Sequence, residues 1–172
     1  AQLGSIRFMS YRCTSVGIAC PRRTPRELMR NNLIRIDEIG HDNFSEIFKG
    51  ELSEMRHGQE VKVLVAVKAS HVGSGHGTEA LLKEATLMAL FNHRNVLSLI
   101  GVVTSPRDLP VLLVLAHCEN GSLLSFLQTT DSGVPVHAKL TWCSEVARGM
   151  DYISARRVVH GDVAARNVLL DI

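Results

Sequence analysis

The order of strand-like and helix-like segments constrains the fold of this chain more than any other feature of its sequence. β-branched or alternating segments dominate up to residue 117, one amphipathic helix pattern interrupts them, and helical periodicity dominates afterwards. The predicted strands are 33–36, 44–50, 61–67, 96–103 and 111–116. The predicted helices are 78–91, 121–128 and 137–156. This order predicts an α+β fold with a sheet-rich lobe followed by a helical lobe.

Composition and charge place the chain among globular proteins. Its 172 residues are 45% hydrophobic with a net charge of +2, which gives no reason to expect a nucleic-acid partner. No apolar run approaches the ~20 residues of a membrane-spanning helix. The four cysteines form no C-x-x-C pair and the histidines lack metal-ligand spacing. We therefore expect neither a zinc site nor a disulfide framework.

Basic residues are concentrated at the beginning of the chain. The first 35 residues contain seven arginines and a single acid, Glu27. We interpret residues 1–32 as a juxtamembrane-like linker. Such a segment can contact an anionic membrane surface, at about 1 kcal/mol per basic side chain, although a solvated arm is the simpler interpretation.

Residues 160–171 read HGDVAARNVLLD and form the most specific motif of the chain. This segment closely resembles the catalytic loop of protein kinases, H-R-D-L-x-x-x-N, and its Ala-Ala-Arg resembles the tyrosine-kinase version. The resemblance covers residues 33–172. It implies a protein-kinase-like two-lobed fold, with a complete five-stranded N-lobe and its helix C at 33–117. Residues 118–172 would form the first helices and the catalytic loop of the C-lobe.

The resemblance also implies roles for the loop residues. Asp162 would accept the proton of the substrate hydroxyl, Asn167 would hold Mg²⁺, and Arg166 would lie near the transferred phosphate. Serine/threonine kinases usually have a lysine at the position of Ala164, so a tyrosine kinase is favoured. The implied reaction transfers the γ-phosphate of ATP to tyrosine in protein substrates.

A lysine at the end of a predicted strand adds to this resemblance. Val65-Ala66-Val67-Lys68 is similar to the kinase V-A-I-K strand, whose lysine pairs with a helix glutamate. Glu84, in the helix that follows, is the expected partner. The resemblance implies a nucleotide pocket formed by Gly40, Ile47, Ala66, Leu115, Ala116, His117, Cys118 and Leu169, together with Lys68 and Glu84.

Three positions depart from the family pattern. The second and third glycines of the phosphate-binding loop are replaced by Asp42 and Ser45, which predicts weak or altered ATP binding. Gly161 replaces the arginine that commonly pairs with a phosphorylated activation loop. These departures favour an alternative, a pseudokinase that acts as a scaffold or allosteric partner. The retention of all four catalytic-type residues, Lys68, Glu84, Asp162 and Asn167, opposes it.

The family's metal-binding Asp-Phe-Gly is expected after Ile172, so we expect the chain alone to be inactive. We also expect the long helix to have an exposed apolar face around Val146 and Met150. A receptor-type parent would place this domain at the cytoplasmic side of the plasma membrane, and a non-receptor parent in the cytoplasm.

Overall fold

The structure is a computed structural model, and it describes residues 5–8, 24–41, 45–70, 75–130 and 133–171. Backbone contacts divide these residues into two compact units. We call the first the sheet unit; it comprises the described residues of 24–90 and 98–117. The second, the helical unit, comprises the described residues of 5–8, 91–97 and 118–171.

The sheet unit contains one five-stranded antiparallel sheet and one helix. In chain order the elements are β2 (Leu33–His41), β3 (Ser45–Arg56), β4 (Gln59–Ser70), α1 (Gly75–Met88), β5 (Leu99–Val103) and β6 (Leu112–Ala116). The strand order is β2-β3-β4-β6-β5. β-branched residues such as Val65, Val67 and Val114 are fully buried and form its core with Phe48 and Leu52. The predicted five strands and single helix of this lobe are confirmed.

The β3–β4 hairpin is longer than the sequence suggested. Residues 52–60 were predicted to be a polar connection, but β3 continues to Arg56 and β4 begins at Gln59. His57 and Gly58 form the turn with φ of 52° and 81°, the left-handed pair that matches the twist of a two-residue hairpin. The charged residues within 52–60 hid the strand pattern from the sequence prediction. In β3 buried and less buried side chains alternate, and Leu52 and Glu54 are among the buried ones.

Residues 24–32 are packed on the sheet rather than forming part of a linker. The Leu28 N–H donates to the Val102 carbonyl at 2.7 Å, the Val102 N–H donates to the Arg26 carbonyl at 2.8 Å, and Leu28 is buried. A Cβ on Gly101 would lie 2.6 Å from the Arg26 carbonyl oxygen, so glycine permits this close crossing. The linker interpretation therefore does not extend to residues 24–32, and the predicted boundary at residue 33 falls inside this unit.

The helical unit contains β1 (Ile6–Phe8), α2 (Leu123–Thr129), α3 (Val136–Ser154) and β7 (Val168–Leu170). α2 begins where the Ser122 hydroxyl accepts the Ser125 N–H. β1 and β7 pair antiparallel, with Ile6 opposite Leu170. Neither short strand was predicted, and β1 lies in the stretch interpreted as a linker. No helix in the described ranges is long and apolar enough to cross a membrane.

The apolar face of α3 is covered more than expected. Val146 and Met150 were predicted to be exposed, but both are half-buried against a cluster of Ile6, Trp142, Val168 and Leu170. The prediction was wrong for these two side chains because it did not include β1, which contributes Ile6, but the expected exposed apolar surface on α3 is present. Two other apolar side chains near the start of α3, Val136 and Leu140, are the exposed ones.

Candidate active site

An ion pair joins β4 to α1 in the sheet unit. The Lys68 Nζ lies 3.1 Å from the Glu84 Oε2, and the two side chains are 20% and 16% exposed. Lys68 lies near the end of β4 and Glu84 lies in the middle of α1. The strand and helix thus bring together the two residues that the sequence predicted to pair.

The sheet register aligns the other predicted pocket residues of this unit. Gly40 on β2 lies opposite Ile47 on β3, and Ile47 lies opposite Lys68 on β4. One row across three strands therefore contains Gly40, Ile47 and Lys68. Ala66 lies opposite Leu115 on β6; the half-buried Ala116 and His117 follow Leu115 directly.

Two of the three departures can be located. Ser45 is 3% exposed and begins β3 opposite Ser70, so the position of the family's third glycine is inside the sheet. Gly161 has φ 77°, a left-handed backbone that favours glycine. Asp42 and the neighbouring Phe44 lie outside the described residues.

The catalytic-type loop of the helical unit is anchored by His160. This side chain is 1% exposed, and its Nδ1 accepts the Asp162 N–H at 3.2 Å. The left-handed Gly161 lies between them and permits the tight turn. The turn fixes the backbone of Asp162 while its side chain stays partly accessible.

Asp162 is the acceptor for two other residues of the same motif. The Asn167 Nδ2 donates to the Asp162 carbonyl at 2.8 Å and to its Oδ2 at 2.9 Å. The Arg166 Nη2 donates to Oδ1 at 2.5 Å. The sequence prediction did not include these contacts, because they form in a loop where residue spacing does not indicate which side chains meet. Together they orient the carboxylate and partly neutralise it.

The donor set of this loop fits Mg²⁺ bound together with a phosphate. The Asn167 amide nitrogen donates to Asp162, so its amide oxygen is the atom of this side chain that could coordinate a hard cation. Within the described residues, no group of three or more His, Cys, Asp and Glu side chains could hold a metal ion. A magnesium ion here would need phosphate and water oxygens to complete its shell, as it usually has in nucleotide sites.

Two of the predicted pocket residues, Cys118 and Leu169, belong to the helical unit. Leu169 forms an isolated bridge with Ser122, and the Leu170 N–H donates to the Gly121 carbonyl at 2.9 Å. Cys118 is 6% exposed. Burial raises the pKa of the Cys118 thiol to about 11, with a smaller contribution from the Asp171 carboxylate. This thiol is therefore a neutral packing group near pH 7.

The chain is similar to known protein kinases over most of its length. The sequence model of the family described as "Protein tyrosine and serine/threonine kinase" matches residues 33–172. The chain is 38% identical to the epidermal growth factor receptor of Apis mellifera over 133 residues, which are 77% of this chain and 10% of that protein.

Two further relatives extend this comparison. Identity is 37% to ephrin type-B receptor 3 of Danio rerio, over 80% of this chain and 27% of that protein. It is 35% to the tyrosine protein-kinase src-1 of Caenorhabditis elegans, over 84% and 25%. The chain thus spans about a quarter or less of these relatives.

Proposed function

The chain belongs to the protein tyrosine and serine/threonine kinase family, and from this premise we propose that its protein transfers the γ-phosphate of ATP to tyrosine hydroxyls of protein substrates. The observation that supports this most directly is the 3.1 Å ion pair between Lys68 and Glu84. In kinases this pair must be in place for the lysine to meet the nucleotide phosphates.

The loop of the helical unit would supply the groups that act on the hydroxyl. Asp162 would accept the proton of the tyrosine hydroxyl as it attacks the γ-phosphorus. Arg166 shares the Asp162 carboxylate at 2.5 Å and is exposed enough to turn towards a phosphoryl group. Asn167 would hold Mg²⁺ through its amide oxygen. The magnesium ion would neutralise charge that develops on the phosphate oxygens.

The choice of tyrosine over serine is supported by residue type and by relatives. Ala164 occupies the position where serine/threonine kinases usually have a lysine, and Arg166 completes the Ala-Ala-Arg sequence. One relative is named a tyrosine protein-kinase and another, erbB-4 of Homo sapiens, a receptor tyrosine-protein kinase.

The nucleotide half of the proposal is tested by calorimetry with the 172-residue chain. We expect Mg²⁺-dependent ATP binding that the Lys68→Met substitution weakens at least tenfold, about 1.4 kcal/mol. Lys62→Met is the matched control, because Lys62 lies on the same strand but is exposed. Equal ATP affinity in the two variants would contradict the assigned role of Lys68.

The transfer half is tested with the protein that its transcript encodes, including any sequence after residue 172. Phosphotyrosine on a Glu-Tyr copolymer, lost in the Asp162→Asn variant, would support the proposal. An Asp-Phe-Gly within about 20 residues of Ile172 is the sequence expected to accompany activity. Phosphoserine rather than phosphotyrosine on a protein substrate that offers both residues would contradict it.

A pseudokinase that acts as a scaffold or allosteric partner is the second candidate. The buried Ser45 favours it. This residue stands where the family has the third glycine of its phosphate-binding loop, and its backbone is paired with Ser70 in the sheet. Absence of phosphotransfer from a protein that still binds a partner through this domain would favour this function over catalysis.

Membrane proximity is a separate proposal that rests on the basic beginning of the chain and on receptor relatives. The described arginines there already have partners: Arg7 with Asp171, Arg26 with Glu54, Arg30 with two carbonyls and Arg35 with Glu46. Binding to an anionic surface on the cytoplasmic side would draw on the other arginines of this stretch, Arg12, Arg22 and Arg23, which lie outside the described residues. Sedimentation with phosphatidylserine vesicles, compared between the chain and a variant with these three changed to Gln, tests it.

A further inference from the structure

We propose that Ser70 and Thr78 are positioning residues for Lys68, because a hydrogen bond between their hydroxyl groups forms a second attachment of α1 to β4. The Thr78 Oγ1 donates to the Ser70 Oγ at 3.3 Å. Both residues lie in the sheet unit, and neither is among the pocket residues predicted from the sequence. The inference deepens the proposed function and rests on it, because it concerns how Lys68 is held for the nucleotide phosphates.

The two attachments begin on the same face of one strand. Lys68 and Ser70 are two residues apart on β4, so their side chains point to the same face of the sheet. The pairing of β3 with β4 continues in register as far as Ser70, which keeps this alternation to the end of the strand. Lys68 contacts Glu84, and Ser70 contacts Thr78 of the same helix.

The two attachments end at different levels of α1. Thr78 lies in the first turn of this helix, which begins at Gly75, and Glu84 lies six residues later. Six residues of an α-helix span about 9 Å along its axis. A single contact would let the helix pivot about that point, whereas two contacts at different levels set the angle between α1 and β4. The hydroxyl bond therefore constrains where the Glu84 carboxylate lies relative to Lys68.

Apolar packing alone does not set this angle. Leu81, Ala85 and Met88 of α1 are at most 3% exposed, so burial of this apolar stripe stabilises the helix in its place. Hydrophobic attraction is non-directional, however, and favours burial more than one particular tilt. A hydrogen bond weakens steeply when its angle departs from the preferred range. The bond between the two hydroxyl groups therefore selects one orientation of the helix.

Ser70 is itself held by the neighbouring chain. It is 3% exposed and is the last residue of β4. Its N–H donates to the Val111 carbonyl at 3.1 Å, and the Val111 N–H donates to its Oγ at 3.2 Å. A serine hydroxyl oxygen has two acceptor lone pairs, and Val111 and Thr78 supply one donor each. The sheet therefore presents the Ser70 oxygen to α1 at a fixed position.

The first test measures how fast acetic anhydride acetylates Lys68 in the full chain, by mass spectrometry and without nucleotide. Thr78→Val removes the hydroxyl donor, keeps the shape of the side chain and leaves the Val111 N–H its acceptor. We expect Lys68 to react about two- to tenfold faster in this variant, the factor by which loss of one typical hydrogen bond shifts an equilibrium. Lys62, exposed on the same strand, is the internal reference.

Two further variants separate positioning from a general effect of substitution. Thr86→Val is the matched control, because the Thr86 hydroxyl donates to the Leu82 carbonyl of its own helix at 2.8 Å. Lys68 should react at the wild-type rate in Thr86→Val and in Thr78→Ser, which keeps the hydroxyl. An unchanged Lys68 rate in Thr78→Val would overturn the proposal. Equal acceleration in Thr78→Val and either of the other two variants would also overturn it.

The second test is a double-mutant cycle on Mg²⁺-dependent ATP affinity, measured by calorimetry. Thr78→Val should weaken binding about two- to tenfold in the wild-type chain. It should have no further effect in a Glu84→Gln chain, because the charged contact that it positions is already absent. Additive effects of the two substitutions would overturn the proposal. If the wild-type chain bound no ATP, the proposed function would fail, and the acetylation of Lys68 would still decide this inference.

Discussion

The Lys68 Nζ and the Glu84 Oε2 lie 3.1 Å apart although Lys68 is on β4 and Glu84 is on α1. Both side chains are largely buried, so the pair is weakly screened and each charge depends on the other for solvation. The orientation of α1 against the sheet and the availability of Lys68 for phosphate are thus coupled within the sheet unit.

Glu84→Gln should weaken Mg²⁺-dependent ATP binding about tenfold, because Lys68 loses its charged partner and its orientation. Glu79→Gln is the matched control: it is on the same helix and pairs with the exposed Lys83 at 2.7 Å. Calorimetric titration of both variants measures the effect. If Glu79→Gln weakened binding as much as Glu84→Gln, the effect would be one of net charge rather than of the ion pair.

Gly161→Ala should destabilise the chain by about 1–3 kcal/mol, because a side chain would be placed at φ 77°. Gly40→Ala is the control, since a Cβ there meets nothing within 4 Å and its φ is not in the left-handed region. Urea unfolding measures both free energies. Equal changes for the two variants would argue against backbone strain at Gly161. Restoring the family's arginine at 161 should have a similar cost.

The sequence predicted what depends on local periodicity and on motif. The five strands of the sheet unit, α1, and the pairing of Lys68 with Glu84 follow from such signals. The β1–β7 pair could not be predicted, because two three-residue strands more than 150 residues apart have no periodic signal of their own. Its consequence, the coverage of Val146 and Met150, was missed for the same reason. The contacts of Asp162 required coordinates, since they depend on the turn at Gly161.

Glu54 should stabilise the sheet unit in a pH-dependent manner. It is 9% exposed and accepts hydrogen bonds from Arg56 and Arg26, and the Arg56 bond is the main cause that holds its pKa below the usual value of 4.5. A lowered folded pKa means that this stabilisation is present above pH 4.5 and is lost as the pH falls through the folded value.

Glu54→Gln should therefore lower the unfolding free energy by about 1 kcal/mol at pH 7 and by less at pH 3, where wild-type Glu54 approaches protonation. Glu60→Gln, at an exposed position of the neighbouring strand, is the control and should change little. Urea unfolding at both pH values measures the difference. A cost for Glu54→Gln that is the same at pH 3 and pH 7 would contradict the assigned charge effect.

Cys118 should resist alkylation although it is a predicted pocket residue. With its pKa raised from 9.0 to about 11, mainly by burial, the thiolate fraction at pH 8 is about a hundredfold lower than for an unshifted thiol. The exposed Cys143 is the internal reference. Mass spectrometry of the two peptides after iodoacetamide treatment should show Cys143 labelled first, and Cys118 labelled faster as the pH rises from 8 to 10. Rapid labelling of Cys118 at pH 8 would contradict the assigned burial and mean that the chain around Cys118 opens to solvent.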